Sequence, residues 1–495
     1  MKLPRRAVLQ LAAGAVAVPV ASRLAGAQNL PARPASEQPV HPLAERLAAY
    51  ADGLRYDDID EATVERVKTH VIDTIGCGIG AFAEKPVGIC REVALAAGGN
   101  ATIIGTDRRT TPDLASFANG AAFRYFDFND TYTGRFSVHP SDHIAPCLAV
   151  AEAERASARD LITAIVLAYE VNCRLVDALD IATRGWDPPV MSLPAVALAA
   201  GKLMKLDPQK LTQAVNLAIN DHIPMAQTRV QTLSDWKGFA DAEAARNAVF
   251  AALLARGGLT GPAPIFEGQS GFFKQVSGPG SVDVDSFGRR GVPFRILKCA
   301  IKPYPAVIYT QTAIVAAIEV AKEVGSLDRI AAIEIATTSR GLQRTGGEPE
   351  KWAPKTRETA DHSLPYITAR AMFDGDITNE SFAPPMFGDP KILAFMQKIT
   401  VHEDPVLTAR IGAAVPTRVT AILADGRRIS REEDYAPGFA ERPMTRAEVE
   451  RKFRGNVGTR WPAERTDEIL KALWALDRTE DLSVLLGKLS LQAKQ

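Results

Sequence analysis

Asp127-Phe128-Asn129-Asp130-Thr131-Tyr132 is followed closely by Val138-His139-Pro140-Ser141-Asp142-His143. Carboxylates, hydroxyls and imidazoles crowded between two helical stretches suit a site loop. Acid–base chemistry needs such groups, and histidine titrates near neutrality. His139 and His143 are four apart, so a metal pair also fits the spacing, although Pro140 interrupts any single helix presenting both. A merely solvated loop is the third reading that spacing leaves open.

Two lysines stand beside aromatics or prolines. In Ser234-Asp235-Trp236-Lys237-Gly238-Phe239 the ammonium is either desolvated, which lowers its pKa, or set to hold an anion, or directed to solvent. In Lys298-Cys299-Ala300-Ile301-Lys302-Pro303-Tyr304-Pro305 the prolines stiffen a segment able to fix Lys302 and Tyr304. Asp361-His362-Ser363-Leu364-Pro365-Tyr366 opens an apolar stretch. Asp361 there suits a helix cap, with the Tyr366 hydroxyl reaching a cleft from the first turn. Gly76-Cys77-Gly78-Ile79-Gly80 resembles a dinucleotide fingerprint, but it follows a helical pattern and lacks the strand such a site needs. Close helix packing is the expected use of these glycines.

The elements that position these groups fall into blocks. Residues 41–296 read as a thick helical domain, with Val64, Val67, Val71, Ile72 and Ile75 at helix spacing. Leu161, Ile165, Ala168, Val171 and Leu175 repeat it, and the helix pattern over 241–256 stops at Gly257-Gly258. Residues 297–444 read as a smaller α+β lid domain. Strands are expected at 330–335 and 399–402, with a hairpin from Val419 to Ser430 around a two-residue Asp425-Gly426 turn. The Lys302 segment falls at this junction, where ligand clefts are favoured. Residues 445–495 return to helix and to the first domain. The fold class is therefore mainly α with an α+β part.

The 495 residues carry 58 basic and 58 acidic side chains, a formal net charge of zero. That balance argues against a nucleic-acid partner, and 46% hydrophobic content argues against disorder. Cys77, Cys90, Cys147, Cys173 and Cys299 are too scattered for a zinc ribbon or thioredoxin-like motif and read as small buried hydrophobes. Residues 1–27 read as an export signal. Arg5-Arg6 precedes the apolar run Ala7 to Ala21, and Ala25-Gly26-Ala27 suits cleavage, which points to twin-arginine export to the periplasm. Residues 28–40 read as a linker, and no later segment is long and apolar enough to span a bilayer.

Taken in order, these segments resemble the MmgE/PrpD family, which includes 2-methylcitrate dehydratase, cis-aconitate decarboxylase and iminodisuccinate epimerase. The likeness runs over about residues 41–490, through Asn119 to His143, Lys237 to Gly261, Lys302 to Pro305, Asp361 to Tyr366 and His402 to Pro405. It implies a large helical domain with a smaller lid, assembled as a homodimer. It also implies site positions at Asp127, Thr131, His139, Lys237, Lys302 and Tyr366. Two decarboxylase positions are not met. Asp187 stands where that enzyme has histidine before a Pro-Pro pair, and Val307 where it has a second histidine.

Dehydrating a hydroxy-polycarboxylate removes a proton beside a carboxylate and expels hydroxide, so one group takes the proton and another protonates the leaving oxygen. On this scheme His139 is the acid or base, with Asp127 orienting it or sharing its proton. Lys237 and Lys302 hold carboxylates and offset developing charge. Thr131, Tyr304 and Tyr366 bind substrate. The scheme calls for no metal and no organic cofactor. The expected partner is a small polycarboxylate, and the expected activity a 2-methylcitrate dehydratase-like hydro-lyase. An epimerase or isomerase, a decarboxylase, and an exported carboxylate-binding protein are the alternatives. Propionate-pathway acids are handled inside cells, so an exported chain favours another small polycarboxylate.

Overall fold

The computed structural model describes residues 41–220, 222–412 and 414–491. The expected export signal and linker, residues 1–40, lie outside the described residues. Among the described residues, no helix is long and apolar enough to cross a membrane.

Among the described residues, the two largest hydrophobic cores organise the fold. The larger is built from the helices Glu61–Ala81, Ala158–Ala178, Ser192–Leu203, Pro208–Asn220 and Ala240–Arg256. Helix Ser192–Leu203 is buried on nearly every face, as its alanine- and leucine-rich sequence requires. Val449, Phe453, Ile469 and Leu473 from the last helices join the same core. Asp60 starts the long helix Glu61–Ala81 by accepting the amide of Thr63 at 2.7 Å. Its glycines lie within the helix and let neighbours approach. A Cβ at Gly78 would fall 2.4 Å from the Phe123 ring, and one at Gly76 2.9 Å from that of Phe453.

The smaller core packs Ile314, Ile318, Leu364, Ile367 and Phe395 against a four-stranded sheet. Strand Ile330–Thr337 pairs in parallel with Ile399–Glu403 and antiparallel with Thr417–Leu423, which pairs antiparallel with Arg428–Glu433. The last pair differs from the expected two-residue turn. Leu423 N–H donates to Arg427 O at 2.9 Å, so the loop is Ala424-Asp425-Gly426, with Gly426 at φ +85°. A third residue outside the ladder lets one left-handed glycine close the hairpin.

A small antiparallel sheet positions the polar segment. Asp130–Thr133 lies between Ser137–Val138 and Ala300–Ile301. Tyr132 opposes Val138, which sets His139 across from Thr131. Asp130 opposes Ile301, so Lys302 emerges beside the turn that contains Asp127.

Candidate active site

Asp127 is the hub. It follows the helix Pro112–Arg124 and has φ +50°, the left-handed region that aspartate tolerates better than most residues. Its Oδ1 accepts Lys302 Nζ at 2.6 Å and is also bonded by Arg124 Nη1. Lys302 Nζ donates as well to the backbone carbonyl of Asp127, at 2.8 Å. Lys237 Nζ lies 3.1 Å from Oδ2, an ion contact not aligned as a hydrogen bond, which leaves that ammonium without a hydrogen-bond partner among the described residues. Burial alone would raise the Asp127 pKa, but Arg124, Lys237 and Lys302 together hold it well below the usual carboxylate range. Asp127 is thus a fixed anion. The cations are affected in the other direction: burial lowers Lys237, and lowers Lys302 to about 8 against the pull of Asp127.

Two imidazoles flank this hub. His139 Nδ1 lies 2.7 Å from the Asp130 carbonyl and 3.2 Å from Thr131 Oγ1, and its Nε2 is 3.9 Å from Asp127 Oδ1. A carbonyl can only accept, so Nδ1 carries the proton and the Nε2 lone pair is open. Burial, then Arg124 and Lys302, push this histidine well below its ordinary pKa, against Asp127. His362 sits in the junction between the helices Arg357–Ala360 and Leu364–Asp374. Its Nδ1 donates to Asp361 Oδ1 at 2.5 Å and its Nε2 is 3.8 Å from Asp127 Oδ2. Burial and Lys237 lower it to about 3, against Asp361.

A pocket opens onto both rings. Asp127, His139 and His362 form its floor, Trp186, Val307 and Tyr309 give it apolar walls, and four arginines face it: Arg124, Arg229, Arg340 and Arg344. Arg229 is tied to Asp187 at 2.8 Å and Asp241 at 3.0 Å, and its Nη1 donates to the Lys237 carbonyl, which pins the short turn Asp235–Gly238. Asp142, beside Arg124, has its pKa raised well above the ordinary value, mainly by burial and then by Asp241. Asp127, Asp361 and His362 are near enough to share a cation. However, ammonium and guanidinium groups already occupy the Asp127 oxygens, an arrangement hostile to a divalent ion.

The structure gathers Asp127, His139, Lys237 and Lys302 into one cluster. Lys237 and Lys302 are enclosed beneath the floor and act on the pocket through Asp127. Thr131 touches the His139 ring from behind. Three expectations change. Asp127 does not share a proton with His139, because 3.9 Å separates them and three cations hold the carboxylate. Tyr366 points into the smaller core, with its hydroxyl donating to the Ser381 carbonyl and its ring against Phe382. The reason is the helix start: Ser363, not Asp361, caps it by accepting the Tyr366 amide, and Asp361 turns instead to His362. Tyr304 is half-buried against the same smaller core, outside the pocket wall. His143 is buried edge-on to Tyr169. Sequence reasoning missed His362, although it lies in a segment already singled out, and all four arginines.

A neutral imidazole with an open nitrogen is set among fixed cations on a helical fold with a smaller α+β part. The chain belongs to the MmgE/PrpD family: it matches the family's N-terminal domain over residues 45–285 and its C-terminal domain over residues 304–476. It is 26% identical to the cis-aconitate decarboxylase of Homo sapiens over 458 residues, covering 90% of this chain and 93% of that one. It is 26% identical to the 2-methylcitrate dehydratase of Cupriavidus necator over 476 residues, covering 87% and 93%. To the 2-methylcitrate dehydratase of Escherichia coli (strain K12) it is 25% identical over 474 residues, again covering 87% and 93%.

Proposed function

We propose that the protein is a lyase of the dehydratase type, acting on a hydroxy-polycarboxylate like 2-methylcitrate. The observation that carries this reading is the His139 tautomer: Nδ1–H is committed to Asp130, and Nε2 faces a pocket with four arginines in its wall. His139 Nε2 removes the proton from the carbon beside a substrate carboxylate. Arg124, Lys237 and Lys302 offset the charge that develops there. His362 delivers a proton to the departing hydroxyl, which leaves as water. Asp361 stabilises its imidazolium form, and a bound polyanion raises its pKa toward that form.

Decarboxylation is disfavoured by two positions. Val307 puts an aliphatic side chain in the pocket wall where the decarboxylase has histidine, and Asp187 is committed to Arg229. Epimerisation is the second reading, because two Nε2 atoms flank Asp127 as a two-base exchange requires. The test uses the full chain, stripped of metal with a chelator, in deuterated water with 2-methylcitrate and citrate, followed by NMR. Alkene formation is the expected result. Deuterium entering the acid without loss of water transfers the assignment to an epimerase. Binding with neither change makes the protein a carboxylate-binding one.

Twin-arginine export and a homodimeric state belong to the same proposal. They rest on Arg5-Arg6 with the apolar run after it, and on family likeness. Cell fractionation and light scattering test them.

A further inference from the structure

The four arginines of the pocket wall differ in what already neutralises them. Arg124 is bonded to Asp127, and Arg229 is held between Asp187 and Asp241. The side chains of Arg340 and Arg344 form no hydrogen bond or ion pair among the described residues, although Arg344 lies within the field of Asp187. Both are half-buried. The unspent positive charge of the pocket therefore lies on one short helix, Ser339–Thr345, which follows strand Ile330–Thr337.

That helix is held firmly. Thr338 caps it by accepting the Gly341 amide at 3.0 Å, and a Cβ at Gly341 would meet Thr337 Oγ1 at 2.4 Å, so the first turn lies tight on the strand end. Residues four apart share a helix face, with Cβ atoms about 6 Å from each other. Two guanidinium forks so spaced can each take a separate carboxylate in bidentate fashion. Arg340 also lines a larger outer cleft that it shares with the pocket through Ile308, which places it at the mouth. Asp127 lines the pocket and not that outer cleft.

We propose that Arg340 and Arg344 form a distal subsite that selects tricarboxylates, each arginine taking one of the two carboxylates remote from the reacting carbon. This rests on the reading of the pocket as a hydroxy-polycarboxylate site and names what that site selects.

Calorimetry on the full chain tests it with two probes that cannot be dehydrated: tricarballylate, with three carboxylates, and glutarate, with two. The wild type binds tricarballylate at least about tenfold more tightly. Arg340→Gln and Arg344→Gln each weaken tricarballylate about tenfold or more and leave glutarate within about twofold. Arg→Lys variants, which keep the charge but lose the fork, fall between, and thermal melting confirms that each variant is folded. Unchanged tricarballylate binding in both glutamine variants, or equal losses for both acids, overturns the subsite. A wild type that binds tricarballylate selectively yet dehydrates nothing overturns the proposed reaction and supports the subsite.

Discussion

The backbone carbonyl of Asp130 receives the Nδ1 proton of His139 across 2.7 Å. Asp130 is itself immobilised, its carboxylate accepting the Ser141 amide at 2.9 Å and the Tyr169 hydroxyl at 2.8 Å. The ring is thus oriented by main chain rather than by a titrating partner, and its tautomer stays the same as the neighbouring carboxylates change charge.

A pH profile follows. His139 is already neutral at its ordinary pKa, so it should add no acid limb near 6.5 to kcat/KM for dehydration, and any fall in kcat/KM as pH rises from about 6 to about 7 belongs to His362, which must gain the proton it delivers. Lys302 titrates near 8, and above that value it loses the charge that offsets the carbanion. Activity should therefore fall on the alkaline side. Lys302→Arg should move that limb upward, and a profile unchanged in this variant removes Lys302 from the mechanism. His139→Ala should lower kcat by about 10²- to 10⁴-fold.

Asp361→Asn tests the second imidazole. An amide can present its NH₂ to His362 Nδ1, which reverses the tautomer and leaves the imidazolium unsupported. The expected loss in kcat is about 10²-fold or more, with KM little changed. His362→Ala and the double variant should be no worse than about the larger single loss. Additive losses would mean that the two residues act separately.

Removing the hub anion should be costly to the fold. Asp127→Asn leaves Arg124, Lys237 and Lys302 buried with no carboxylate between them. Breaking buried pairs from one side costs about 3–5 kcal/mol. Urea unfolding at pH 7 should show a drop of that order, and adding millimolar citrate should restore part of it if the ligand supplies the missing negative charge.

Gly78→Ala addresses the glycine run. The added Cβ would fall 2.4 Å from the Phe123 ring, so the helices must separate. Overpacking of this kind costs about 1–3 kcal/mol, which denaturant unfolding would read directly. A neutral result would argue that these glycines serve something other than packing.

Much of this was legible because certain residue types are scarce where they occur. Polar groups crowded between helical runs marked Asp127 and His139, and stiff or aromatic surroundings marked Lys302 and Lys237. Strands were readable at Ile330–Thr337 and Ile399–Glu403 from β-branched runs. The arginines were not readable: Arg340 and Arg344 have the four-residue spacing of any solvated helix face, and what distinguishes them is the lack of a side-chain partner among the described residues. Tyr366 failed for a local reason. Moving the cap from Asp361 to Ser363 shifts the helix by two residues, about 200° of rotation, and carries the hydroxyl from pocket to core.

The left-handed backbone of Asp127 has a consequence for variation. The geometry welcomes glycine, asparagine and aspartate, while the surrounding cations demand a short carboxylate. Glycine and asparagine satisfy the first demand and forfeit the second; glutamate keeps the charge but fits neither the backbone nor the reach. Aspartate is therefore isolated in sequence space at this position, with no tolerated neighbour through which to drift. Divergence toward new substrates has to proceed around the hub, at positions such as Val307 and Arg340, where side chains line the pocket without carrying the architecture.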